Sequence, residues 1–401
     1  MQQDEATQVT QQDEHESLVT LDQILTLQQV TQIALAPGGL TVAYVLREAS
    51  QAEEQPRGQI YLVSADTPDA QPRRFTTGPG LDSTPRWSPD GRALAFLSDR
   101  EQRGCAQLYV IALDGGEARR LTEQKGGVAD VQWHPDGGTL AYLAVAAESE
   151  TAEQRKKDRD DAVVASEVKG RRQLWLIGLD GTETRVLTPE DRHVTGYAWS
   201  PDGSHLAVLT TATPEWNEHF GAMRLGIYAA NANHAMRDLG PAPLTEDIVW
   251  SRDGQTLFTR SGSIARFPRT FLRVWPLAGE GAVEGYPMLS DLPATPAWLG
   301  RARDADTLLL LAYHEAHTLL YRVSADGRQA ELLPEARLDA GAVPSFALTY
   351  APAVSPSADG RRIGLVHADG GTAGDLWLWE AGSDMRRLTE VNPWLRQKRL
   401  G

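Results

Sequence analysis

The stretch Trp87-Ser88-Pro89-Asp90-Gly91, followed by Arg92-Ala93-Leu94-Ala95-Phe96-Leu97, decides how this chain folds. Pro presets φ near −65° at the first corner of a tight turn. Asp bonds its own backbone two residues on, and Gly takes the position that needs φ > 0. Such a turn sends the chain back antiparallel to the strand it has just left. The run Ala93-Leu94-Ala95-Phe96-Leu97 is almost wholly apolar, which suits a strand covered on both faces.

The pattern returns along the chain. Trp199-Ser200-Pro201-Asp202-Gly203 is a full copy, and Trp133-His134-Pro135-Asp136-Gly137 and Trp250-Ser251-Arg252-Asp253-Gly254 are close variants. Ala36-Pro37-Gly38-Gly39 and Ser355-Pro356-Ser357-Ala358-Asp359-Gly360 are weaker. A degraded copy fits at Trp298-Leu299-Gly300, with Asp304 to Asp306 in place of the turn. Each copy is followed by a third apolar run, such as Gln107-Leu108-Tyr109-Val110-Ile111, Gln173-Leu174-Trp175-Leu176-Ile177 or Asp375-Leu376-Trp377-Leu378-Trp379. An Asp-Gly turn comes next, at Asp114-Gly115, Asp180-Gly181 and Asp326-Gly327. A fourth strand then closes on Arg120-Leu121-Thr122, Val186-Leu187-Thr188 or Arg387-Leu388-Thr389. Four short strands per unit, repeating about every 50 residues, are the signature of a propeller blade. Seven such units fill the chain, which predicts an all-β, seven-bladed propeller of four-stranded antiparallel blades over residues 18–391. One interval is longer, and residues 146–172 carry the excess. Its mixed charge, Arg155-Lys156-Lys157-Asp158-Arg159-Asp160-Asp161, reads as a solvated loop.

Ahead of the first blade, Thr20 and Gln23 have capping-box spacing, and Leu21, Ile24, Leu25 and Gln28 follow at helical intervals. A short helix is expected over about 20–29. Residues 1–17 are polar and acidic and read as a disordered tail. They lack the basic start and apolar stretch of a secretory signal, and no apolar run approaches the about 20 residues that span a bilayer. A net charge of −15 argues against nucleic acid and anionic membrane surfaces as partners. The single cysteine, Cys105, excludes an internal disulfide and reads as an inert loop thiol. These features together suggest a cytoplasmic chain.

The opening, Thr20-Leu21-Asp22-Gln23-Ile24-Leu25 leading to Ala36-Pro37-Gly38-Gly39-Leu40-Thr41-Val42-Ala43-Tyr44-Val45, resembles that of the prolyl oligopeptidase family, in particular its acylaminoacyl-peptidase-like branch. Gly38 stands where that family has Asp. The charged segment from Asp158 to Val168 is similar to an excursion that the branch carries in the same blade. The closing Arg387-Leu388-Thr389-Glu390-Val391-Asn392-Pro393-Trp394-Leu395 looks like the passage from propeller to hydrolase domain. The resemblance implies a TolB-like or WD40-like propeller that gates peptides into a serine peptidase. Residues 392–401 are then expected to be a linker stub toward an α/β-hydrolase domain absent from this chain. The partners implied are a separately encoded hydrolase domain, peptides as gated substrate, and a second copy through self-association.

Catalytic chemistry is not visible in these residues. The hydrolase nucleophile sits in Gly-x-Ser-x-Gly, and no serine here has Gly at both of those positions. His314-Glu315-Ala316-His317 has its histidines three apart, where a zincin helix needs four, and lies between two apolar runs as a hairpin connection. His134 replaces Ser in a turn and reads as a turn residue. Arg396, Lys398 and Arg399 read as a solvated basic tail. Catalytic, cofactor-binding and metal-ligating residues are therefore assigned as none, and the chain is read as non-catalytic as it stands. Two alternatives remain. A free-standing TolB-like scaffold would call for a signal peptide. A propeller enzyme with a metal in its channel would call for acidic residues repeated on the innermost strands, which read as apolar.

Overall fold

The computed structural model describes residues 18–48, 55–145, 170–232, 236–262, 270–279, 285–315, 317–338, 354–368 and 374–398. The acidic tail 1–17 and most of the charged insertion, 146–169, lie outside them. Among the described residues, seven four-stranded sheets form, each from strands consecutive in sequence. All pairings within them are antiparallel, so the sequence repeat and the blade coincide. The blades span residues 29–74, 82–120, 128–186, 193–241, 245–288, 295–338 and 354–387. No described helix is long and apolar enough to cross a membrane.

The hydrophobic side chains sort into seven buried clusters, one for each seam between neighbouring blades. Every sheet is thus covered on both faces. That is why second strands such as Ala93–Ser98 and Leu308–His314 need no polar alternation. The last seam joins Val30, Val42 and Val63 of blade 1 to Leu376, Leu378 and Leu388 of blade 7.

The turn chemistry recurs as the sequence predicts. Ser88 Oγ donates to Asp90 Oδ1 (2.5 Å) and accepts from Ala93 N (2.9 Å), while Asp90 accepts from Arg92 N (3.0 Å). Ser200–Asp202, Ser251–Asp253 and Ser357–Asp359 repeat the arrangement. In blades 1, 2, 3 and 7 the Thr just after the fourth strand has a matching task. Oγ1 of Thr76, Thr122, Thr188 and Thr389 accepts from the backbone N–H of Ile60, Leu108, Leu174 and Leu376 in the third strand of its own blade. The Arg-Leu-Thr signature therefore pins a two-residue outer strand to its sheet.

Two expectations are corrected. Helix α1 covers only Leu21–Ile24, with Thr20 and Gln23 closing the capping box, and none of its side chains is buried. With no core to pack on, it stops at Leu25, and the first strand begins at Gln29. Within the expected linker, Pro393–Gln397 form a 3₁₀ turn with Leu395 buried. In blade 6 the residue that ends the first strand, where blades 2 to 5 place Trp, is Arg301 and not Trp298.

Candidate functional site

Four antiparallel strands fix which loops share a face. The chain enters each first strand and leaves each fourth strand at one end of the blade. The turns between strands 1 and 2, and between 3 and 4, lie at the other end. The propeller therefore has a turn face, carrying the Ser-Pro-Asp-Gly turns, and an opposite face from which both ends of the described chain emerge. There Gln28 N donates to Asn392 Oδ1 (3.1 Å) and Asn392 Nδ2 donates to Gln28 O (2.8 Å), tying the two ends together.

The terminal face holds the described loops between second and third strands. It also holds unpacked apolar side chains. Leu18, Leu21, Ile24 and Leu25 are exposed around α1, Leu21 by 70%. In blade 4 the same face carries α2 (Glu218–Gly221). Beside it Trp216, 42% exposed, stacks on His219 (4.9 Å between ring centroids) and meets Phe220 edge-on (5.7 Å). A hollow of about 480 Å³ opens nearby, lined by Glu123, Lys125, Arg171, Trp175 and Glu190 among others. Loops on a rigid scaffold and exposed aromatic surface are the usual setting for recognition.

The first strands, Gln29–Leu35, Asp82–Trp87, Val128–Trp133, His193–Trp199, Thr245–Trp250, Thr295–Arg301 and Val354–Pro356, run side by side around the axis. The tryptophans that end them staple the ring. The indole N–H of Trp87 donates to Ala34 O (2.8 Å), that of Trp133 to Arg86 O (2.8 Å) and that of Trp250 to Ala198 O (3.0 Å). Arg301 takes over this task in blade 6, donating to Trp250 O (2.9 Å). Trp199 departs from the pattern. Its ring meets His134 edge-on at 4.7 Å, and His134 Nε2 lies 3.1 Å from Gly203 O.

The innermost strands are not apolar, contrary to the reading of the sequence. Asp82, Asp130, His193, Glu246 and Asp247 lie on them. The alternation hid them, because the conspicuous apolar runs are the second strands. The carboxylates are met by arginines: Asp82 by Arg100 (3.0 Å), Asp130 by Arg86 (3.4 Å), and Glu246 and Asp247 together by the buried Arg260. Asp247 also accepts from Leu299 N of blade 6 (3.0 Å). Enclosure by the strands pushes the carboxyl groups of Asp130 and Glu246 up from their ordinary range. At the terminal end of blade 4, burial pushes His193 down to about 4, and its Nδ1 accepts from Arg172 N (3.1 Å).

The motifs singled out earlier are scattered. His314 and His317 face each other across the hairpin between two strands of blade 6. His134 is on the turn face. Cys105 lies on the terminal face, with its Sγ 3.4 Å from Lys125 O. Among the described residues no three His, Cys, Asp or Glu side chains come together as a metal cage.

Residues 28–162 match the model of the TolB beta propeller domain family. A curated relative, the uncharacterized peptidase YuxL of Bacillus subtilis, is 34% identical over 210 residues, which cover 49% of this chain and 32% of that protein. The chain thus matches about a third of this relative's length. The acylaminoacyl peptidase of Pyrococcus horikoshii superposes with a TM-score of 0.65 at 17% identity, covering 92% of this chain and 53% of that one. The propeller domain of the Trilobed protease of Pyrococcus furiosus, described as having an open velcro topology, superposes with a TM-score of 0.61 at 13% identity, covering 92% and 99%. In sequence this chain is similar to peptidases, and in fold to the β-propeller domain of the prolyl oligopeptidase family's acylaminoacyl-peptidase-like branch.

Proposed function

We propose that this propeller binds and gates peptides for an α/β-hydrolase domain docked on its terminal face. The observation that carries the reading is the convergence on one face of both ends of the described chain and of the unpacked side chains of Leu18, Leu21, Ile24, Leu25 and Trp216. An exposed apolar surface costs free energy in water and is relieved by a partner. The opposite face also exposes Leu40, Met236, Tyr286 and Leu332, but these stand one to a blade, on blades 1, 4, 5 and 6, and are not gathered around a single element. The propeller would then cover the catalytic centre and admit only chains thin enough to pass. The triad chemistry would belong to the partner domain, and this chain's residues would supply exclusion and orientation.

The coding sequence following the Gly401 codon, read in all three frames, is the first test. A frame with Gly-x-Ser-x-Gly, then Asp, then His is expected, and its product should co-purify with this chain on co-expression. A triple substitution Leu21→Asp, Ile24→Asp and Leu25→Asp should abolish that co-purification while leaving the melting temperature of the propeller unchanged. A catalytic domain that ignores these substitutions would overturn the docking face, and a downstream region without one would overturn the gating role. A free-standing scaffold of TolB-like kind is the second reading, favoured by the family match over residues 28–162.

A further inference from the structure

The Ser-Pro-Asp-Gly turns pack around the turn face in ring order. Gly91 of blade 2 sits against Pro37 of blade 1, Gly137 against Pro89, Gly254 against Pro201, and Gly360 against Ala302 of blade 6. Each of these contacts joins ring neighbours. One hydrogen bond breaks the order. Arg303, in the turn of blade 6, donates from Nη1 to Pro89 O in the turn of blade 2 (2.7 Å). Blades 6 and 2 stand three places apart in a ring of seven, as far as two blades can be. A side chain that joins them has to lie across the mouth of the central channel.

The turn that carries Arg303 is built to reach inward. It lacks the Ser–Asp pair, and Arg301 organises it instead. Arg301 Nη1 donates to the carbonyls of Ala302 (3.2 Å), Arg303 (2.7 Å) and Ala305 (3.0 Å). Asp304 N then donates to Ala358 O of blade 7 (2.8 Å), and Ala358 N to Pro37 O of blade 1 (3.0 Å). The turns of blades 6, 7 and 1 are thereby joined, and Arg303 carries the chain of contacts to blade 2. Asp304 Oδ1 accepts from Arg303 Nε (3.2 Å) and aims the guanidinium.

The geometry points to Arg303 as a crossbar that closes the turn-face mouth of the channel to polypeptide. Peptide then reaches the axis from the terminal face, where the hydrolase domain is proposed to dock. The purpose of the bar rests on the gating reading, but its presence does not. It works by occupying the opening: an extended chain would have to displace the guanidinium and leave the Pro89 carbonyl without its donor.

The test needs no catalytic partner. In a Cys105→Ser background, a reporter cysteine is placed at Gln132, one residue from the turn end of its strand, with a control reporter at Thr195, near the terminal end of the next blade's first strand. Its reaction is followed with N-ethylmaleimide and with a maleimide on an extended peptide of about eight residues. Arg303→Ala is expected to speed the peptide reagent by about five-fold or more, with the small reagent changed by less than about two-fold. Arg303→Lys, which keeps the charge but loses the fork, is expected to fall between. Arg303 is exposed, so the melting temperature serves as a control for folding. Equal peptide-reagent rates in the parent and Arg303→Ala at the Gln132 reporter would overturn the crossbar. They would leave the docking of a hydrolase domain to be decided by co-purification.

Discussion

At the scale of single residues, the repeat was legible because its chemistry is local. Asp202 shows the principle. Hydroxyl hydrogen bonds from Ser200 and Ser204 hold its carboxyl down to about 2. Since that lies below the ordinary carboxylate value, folding favours the ionised form. The stabilisation is complete above pH about 4 and is lost as pH falls through about 2. Asp202→Asn should therefore lower stability at pH 7, with the difference from the parent shrinking between pH 4 and 2. Urea melts at pH 7, 4 and 2 would check it. Arg301 and Arg303 were not legible in the same way. The contacts that define them go to backbone carbonyls, three in their own turn and two in other blades, and a carbonyl carries no signature in sequence.

Between elements, the decisive contacts are turn against turn and first strand against first strand. The seam between blades 3 and 4 is the instructive case. At Gly203, with φ of +73°, a Cβ would fall inside the His134 ring, whereas a Cβ at Gly254 meets only Pro201 at 4.0 Å. Gly203→Ala is expected to cost about 3 kcal/mol or more, the sum of positive-φ strain and overlap. In a His134→Ser background the cost should drop to about 1 kcal/mol, the strain alone. A double-mutant cycle in urea measures that coupling, and additive costs would refute it. The strands themselves were readable from their apolar runs and turn signals. The polar lining of the channel was not. A first strand such as Val128–Trp133 shows its polar side chains at irregular intervals, because a bulge at Asp130 to Val128 breaks the alternation. The short extent of α1 was likewise hidden, since a capping box marks where a helix starts but not what it packs on.

For the molecule as a whole, counting repeats was enough to give seven blades, while the closing of the ring could not be read. Among the described residues no strand from one end of the chain completes a sheet at the other, so beyond the Ala358 N to Pro37 O bond the seam between blades 7 and 1 depends on side chains. Asn392 makes both hydrogen bonds to Gln28, and Leu35 N donates to Ser355 Oγ (2.9 Å). Asn392→Ala should cost about 2 kcal/mol. It should raise amide hydrogen exchange in residues 28–47 and 375–391, with blades 3 to 5 unchanged. Uniform exchange across all blades would show that the seam is not the weak point. The same architecture bears on how the chain acquires its shape. Every sheet pairs strands that are neighbours in sequence, so nearly all backbone pairing is short-range and contact order within a blade is low. Blades can form one after another as the polypeptide lengthens, each offering a template for the next. The contacts between Gln28 and Asn392 span almost the whole described chain, and they form last. Until then blade 1 must hold the apolar surface of Val30, Val42 and Val63 uncovered. That interval, set by the time needed to make six more blades, is when this protein is most exposed to aggregation.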